Sequence, residues 1–203
     1  VYEMCKEVYT NPWYSFKYGF LPWGHHSQPG YSGYRIQYLV WVHYNNKFVE
    51  LLDTLWMVLK KNNKQISFLH CYHHMLLIWV WFHCCMVDPG GEAWFGACIN
   101  SLIHVYMYGY YTLSLLKFPV GFMKIYMTSC QMLQFVICLI HASYVAYYRY
   151  VPLELAFDQA FVMVNMLGLF GQFFYKSYIK SKDDGEGDKV KSKGKGKENK
   201  IKE

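Results

Sequence analysis

Apolar residues gather in five long stretches, at about residues 36–59, 66–87, 93–116, 123–148 and 156–179, with short polar connections between them. Each stretch is close to the ~20 residues that a helix needs to cross a bilayer. The polar residues inside the stretches fall on stripes. In the first, Lys47, Glu50 and Asp53 recur at intervals of three, and Thr54 follows Glu50 by four, so they share one helical face, with His43 one turn earlier. The second opens on His70-Cys71-Tyr72-His73-His74, whose imidazoles stand at i, i+3 and i+4. The third carries Asn100, His104, Tyr108 and Tyr111, the fourth Thr128, Gln131 and Gln134, and the last Asp158, Asn165 and Gln172. Five helices with one polar stripe each predict an all-α, polytopic membrane helix bundle of about five spans around a polar cavity. Residues 1–34, rich in Tyr, Trp, Gly and Pro, contain no long apolar run and read as a loop or lid with interfacial aromatics.

Composition sharpens this picture. Of 203 residues, 54% are hydrophobic, 20% aromatic and only 17% charged, whereas soluble domains carry about a quarter charged residues. The mean hydropathy of +0.01 averages an apolar body with a polar tail. That tail, 180–203, holds nine Lys and six acidic residues and almost nothing to bury, so it is expected to be disordered. Lys60, Lys61 and Lys64 follow the first stretch and Lys117 and Lys124 the third, while Asp88-Pro89-Gly90-Gly91-Glu92 follows the second without a basic residue. The positive-inside rule therefore places the tail and the 60–65 connection in the cytosol, and 1–34, 87–93 and 149–155 on the far side. Three parts follow: a non-cytosolic loop or lid (1–34), the bundle (35–179) and a Lys-rich cytosolic tail (180–203). None of the seven Cys makes a CxxC pair and most lie in apolar runs, so buried reduced thiols are expected rather than a disulfide framework.

Ionisable groups in hydrocarbon are costly and are functional candidates by default. The Lys47–Glu50–Asp53 stripe also suits a structural ion-pair network, and the tyrosines suit packing with satisfied hydroxyls. Three imidazoles on one face, close to a basic cytosolic connection, fit a purely structural role less well. Amides at Gln131 and Gln134 suit helix joining as well as catalysis. The last stripe reads mostly as structural, with Gly168 and Gly171 permitting close helix packing.

Four segments in order resemble motifs of the ELO-type fatty acid elongases. They are Lys47–Thr54 (KxxExxDT), His70–His74 (HxxHH), Asn100–Tyr111 (NxxxHxxMYxYY) and Thr128–Gln134 (TxxQxxQ), and the resemblance covers about residues 31–179. HxxHH alone is shared with unrelated membrane enzymes; four motifs in register are far more specific. The resemblance implies seven spans around an acyl tunnel, two of them upstream, so an N-terminally incomplete chain is expected here. It implies residence in the endoplasmic reticulum membrane with a cytosolic C-terminus. It also implies condensation of acyl-CoA with malonyl-CoA to 3-ketoacyl-CoA, with no cofactor, no metal and no nucleic acid. Membrane lipid and the reductase and dehydratase enzymes of the elongation cycle are the implied partners, and a homo-oligomer is compatible with it. Phe68-Leu69-His70 and the Asn100–His104 context resemble members that take polyunsaturated chains.

On this reading His73 accepts the acyl group and His104 assists decarboxylation or proton transfer. His70 and His74 orient and polarise, and Glu50 and Asp53 set imidazole tautomers. Asn100 and Gln131 donate to developing oxyanions. Lys47, Tyr108 and Tyr111 contact substrate, and Lys60, Lys61 and Lys64 meet CoA phosphates. Cys71, one position off the histidine stripe, is the rival nucleophile. A membrane di-iron desaturase or hydroxylase is the first alternative, but it needs about eight His ligands, and no second HxxH exists here. A non-catalytic membrane helix bundle is the second.

Overall fold

The computed structural model describes residues 1–10, 34–61 and 66–180. Among these every regular element is helical: α1 (Tyr2–Thr10), α2 (Tyr34–Leu59), α3 (Phe68–Val87), α4 (Ala93–Leu115), α5 (Met123–Tyr147) and α6 (Leu153–Phe174), the last extended by a π-helical turn, Tyr175–Lys180. The five stretches read from the sequence are thus five helices, with ends within a few residues of those expected. The helix α1 lies within the segment read as a loop or lid. Its Met4 and Val8, one turn apart, are buried in the same apolar cluster as Ile36, Val40, Ala97 and Cys98. Most of the loop or lid, Lys64 and the tail from 181 lie outside the described residues.

The helix ends have local causes. Ser67 caps α3, its hydroxyl accepting from the His70 backbone N–H at 3.2 Å, the bond that N-cap residues characteristically make. Lys117 and Arg149 end α4 and α5 in the left-handed region, at φ 63° and 59°. In each case paired backbone bonds close the last turn: Phe118 N–H to the Leu113 carbonyl with Lys117 N–H to Ser114, and Tyr150 N–H to Val145 with Arg149 N–H to Ala146. This is the Schellman closure, in which glycine is the usual residue. At Gly91 an added Cβ would meet the Asp88 carboxylate, so a larger residue there would have to displace that buried side chain.

Packing joins the helices in a ring: α2 on α3, α3 on α6, α6 on α5, α5 on α4, and α4 back on α2. Side-chain pairs fix the directions. Thr54 meets His70 and His43 meets Trp81, so α2 and α3 run antiparallel. His83 meets Asp158 and Tyr72 meets Asn165, so α3 and α6 do too. His43 with Ser101, Lys47 with Asn100 and Asp53 with Tyr108 make α2 and α4 parallel. The chain therefore alternates direction from one helix to the next. Asp158 and Asn165 hold α6 to α3, as the structural reading of that stripe expected. Gly168 and Gly171 have open space where a Cβ would stand, so neither is a close-packing site; the Asp158 and Asn165 polar pairs supply contact to α3 instead.

Large apolar residues cover the outside of the ring. Val49, Leu52 and Trp56 on α2, Met75, Trp79, Phe82 and Met86 on α3, and Phe157, Phe161 and Val164 on α6 are all exposed, at helical spacing. So extensive an exposed apolar surface marks a membrane or partner-facing protein. Among the described residues, two helices are long and apolar enough to cross a membrane by length and composition, Met123–Tyr147 and Leu153–Lys180, each with hydropathy 1.4. The stripe charges Lys47, Glu50 and Asp53 weigh on α2, and histidines and other polar stripe residues dilute α3 and α4.

Candidate active site

The parallel contact of α2 with α4 makes a ladder of polar pairs. At its deep end the buried His43 bonds Ser101 Oγ through Nδ1 at 3.1 Å and sets its ring edge-on to Trp81. One turn on, the Lys47 ammonium, 1% exposed, donates to Glu50 Oε1 at 2.8 Å and Asn100 Oδ1 at 2.6 Å. Glu50 Oε1 also accepts from Asn46 Nδ2 at 3.0 Å and lies 3.6 Å from His104 Nδ1. Nearest the 60–67 connection, Tyr108 donates to Asp53 Oδ2 at 2.8 Å, with the Tyr111 ring beyond it. From Lys47 onward the register repeats, Lys47, Glu50 and Asp53 meeting Asn100, His104 and Tyr108, because three- and four-residue steps on two parallel helices keep the same faces opposed.

The box on α3 adjoins the ladder. His70 Nε2 is 2.7 Å from Thr54 Oγ1 on α2. The His74 ring, buried, stands edge-on to both His70 and His73, with centroids 4.5 and 5.2 Å away. His73 turns towards α5 and α6, against Phe170, and lines an internal space with Asn100, Gln134, Gln159, Phe135 and Met166. That space sits in the middle of the ring, since α3, α4, α5 and α6 all contribute to its wall. Among the described residues no group of three or more His, Cys, Asp or Glu is arranged to hold a metal ion.

The structure thus brings together Lys47, Glu50, Asp53, His70, His73, His74, Asn100, His104, Tyr108 and Tyr111. Gln131 is half-exposed, and it is Gln134, one step on in the same stripe, that is buried beside His73. Thr128 is buried but bonds the Lys124 carbonyl and approaches Tyr178, tying α5 to the π-helical turn. Lys60 and Lys61 are exposed at the end of α2. Cys71 is exposed, whereas His74, three residues on, is buried. Glu50 Oε2, His43 Nε2 and His104 Nδ1 are buried without a hydrogen-bond partner among the described residues.

Sequence reasoning missed a second polar layer at the opposite end of the ring. There His83 Nδ1 bonds Asp158 Oδ2 at 2.5 Å, and His141 Nε2 bonds Glu92 Oε2 at 3.1 Å. Asp158, Glu92 and His141 line a space together with Asp88, Trp81 and Gln159. Asp158 stands on the α6 stripe, but His83, Glu92 and His141 lie on none of the stripes read from the sequence, so no periodic signal announces the pairing.

The family model described as ELO: GNS1/SUR4 family matches residues 1–186 of this chain. The chain belongs to the ELO family. Very long chain fatty acid elongase 5 of Homo sapiens is 37% identical over 183 residues, which cover 89% of this chain and 60% of that protein. The Mus musculus protein of the same name is 36% identical over 180 residues, covering 87% of this chain and 60% of that protein. Fatty acid elongase 6 of Leishmania major is 37% identical over 173 residues, 78% of this chain and 45% of that protein. The chain therefore spans about half to three-fifths of the length of these ELO relatives. The segments read as elongase motifs lie on α2, α3, α4 and α5, with the first three meeting in the polar ladder and the histidine cluster.

Proposed function

We propose that this chain carries the condensing site of a fatty acid elongase and that its five long helices span the membrane. The carrying observation is the convergence of the α3 histidines with Lys47, Glu50, Asn100 and His104 on the interior of a helix ring whose outside is apolar. Substrate, on this reading, enters from the cytosolic end, where Lys60, Lys61 and Lys64 meet the CoA phosphates, and the acyl chain runs inward past His73. The relatives' names speak of very long chain fatty acids, and a long, polyunsaturated acyl-CoA is the substrate proposed here. The tail is cytosolic, the membrane is that of the endoplasmic reticulum, and reductase and dehydratase enzymes take the product onward.

The chemistry follows from the placement. A ring nitrogen of His73 attacks the thioester carbonyl; the C–S bond breaks and CoA leaves as the thiol once protonated. Malonyl-CoA then loses CO2, and the carbon left carrying the electron pair attacks the acyl-imidazole, breaking its C–N bond to give 3-ketoacyl-CoA and free His73. Glu50 Oε1 beside His104 Nδ1 favours a proton on that nitrogen, leaving Nε2 to exchange protons with substrate. His70 and His74 hold His73 in place. Lys47 fixes Glu50 and Asn100 as a unit, and Gln134 joins Asn100 as an amide donor near the reacting carbonyl.

Membranes expressing the chain, alone and joined to the two earlier spans that the family carries, test this. Given a polyunsaturated acyl-CoA and carbon-labelled malonyl-CoA without reductant, they should yield a labelled 3-keto product two carbons longer, and His73→Ala should abolish it. Absence of label from the longer, membrane-inserted protein with saturated and unsaturated acyl-CoAs alike would overturn the reading.

A further inference from the structure

Cys5 on α1 and Cys98 on α4 are 93 positions apart, yet their sulfurs are 3.5 Å from each other. The helix α1 is only nine residues long, too short to be stable alone in water. It docks through Met4 and Val8, and an exposed Arg35–Glu7 pair at 3.3 Å adds a weak link to α2. The sulfurs therefore stand where one short element meets the ring, and the packing of Met4 and Val8 holds them in register. We propose that Cys5 and Cys98 form a disulfide that staples α1 to α4.

A disulfide needs sulfurs about 2.05 Å apart. The remaining approach is of the size that a change of side-chain rotamer supplies, and Cys5 is exposed and so has room to turn. The oxidant is a small disulfide such as that of glutathione. The Cys5 thiolate attacks one of its sulfurs, breaking the S–S bond and releasing one thiol. Cys98 then loses its proton, displaces the second thiol from the mixed disulfide and closes the Cys5–Cys98 bond. Two protein thiols are oxidised and one external disulfide becomes two thiols. Cys98 lies in the second turn of α4, just after the Asp88–Glu92 connection. That connection is on the non-cytosolic side in the threading proposed above, where structural disulfides persist. The proposal rests on that threading but not on acyl transfer, so its failure would leave the condensing-site reading standing.

Thiol trapping on the unaltered chain decides the matter. Membranes are acid-quenched, dissolved in dodecyl sulfate with light maleimide, reduced, relabelled with heavy maleimide and digested for mass spectrometry. Cys5 and Cys98 should both carry the heavy label, and a linked peptide should appear in the unreduced digest. Dithiothreitol treatment before quenching should convert both to light label, and oxidised glutathione should restore the link. In Cys98→Ser, Cys5 should appear as free thiol or glutathione adduct. Light label on both cysteines in membranes held in oxidised glutathione would overturn the proposal, as would a glutathione adduct on Cys5 beside a free Cys98.

Discussion

Lys47 is held by two oxygens from two helices, and its removal would strand the Glu50 carboxylate away from water. Breaking one side of such a buried pair costs about 3–5 kcal/mol, whereas replacing both partners by apolar groups is far less disruptive. Lys47→Met should therefore lower the melting temperature of the detergent-solubilised protein sharply. The double variant Lys47→Met, Glu50→Leu should recover much of that loss without recovering condensation. Equal loss in single and double variants would contradict the ion-pair account. At this scale the sequence was informative where period alone decides: Lys47, Glu50 and His104 lie on stripes. Their partners were not legible, because Lys47–Asn100 depends on which helix packs beside α2. The choice between Gln131 and Gln134 was not legible either, since adjacent members of a three-residue stripe diverge by about 60° around a helix and only the packed ring shows which one is buried.

Among the elements, α3 matters most to the site because three of its imidazoles stand in its first two turns. Its Ser67 cap satisfies the His70 N–H. Ser67→Ala should cost about 1 kcal/mol, and fraying of the first turn should show as a lower melting temperature with a raised KM for acyl-CoA. An unchanged melting temperature would mean that the cap contributes nothing. The five long helices were legible because each apolar run is longer than any competing strand pattern would be. The helix α1 was not, as only Met4 and Val8 in its nine residues face the core, too few to show a period.

For the molecule as a whole, alternating helix directions and alternating basic connections point to the same threading. In sealed vesicles with the cytosolic face outward, an impermeant amine reagent should modify Lys60 and Lys61, whereas a cysteine placed at Glu154 should resist an impermeant maleimide until the vesicles are opened. The reverse pattern would invert the topology. Neither the ring order nor the second polar layer was legible from one sequence, because α3–α6 contact and the His83–Asp158 and Glu92–His141 pairs arise only from how helices close on one another. The polar interior itself was legible, since stripes on every helix leave few other ways to hide them from lipid.

The central claim is that His73, rather than Cys71, receives the acyl group at the heart of this ring. The most direct measurement is free CoA released on mixing the purified protein, extended by the parts of an ELO relative that this chain does not span, with acyl-CoA alone. The account predicts a burst stoichiometric with protein for the unaltered chain and for Cys71→Ser, and none for His73→Ala that still melts cooperatively. A burst kept in His73→Ala and lost in Cys71→Ser would contradict it.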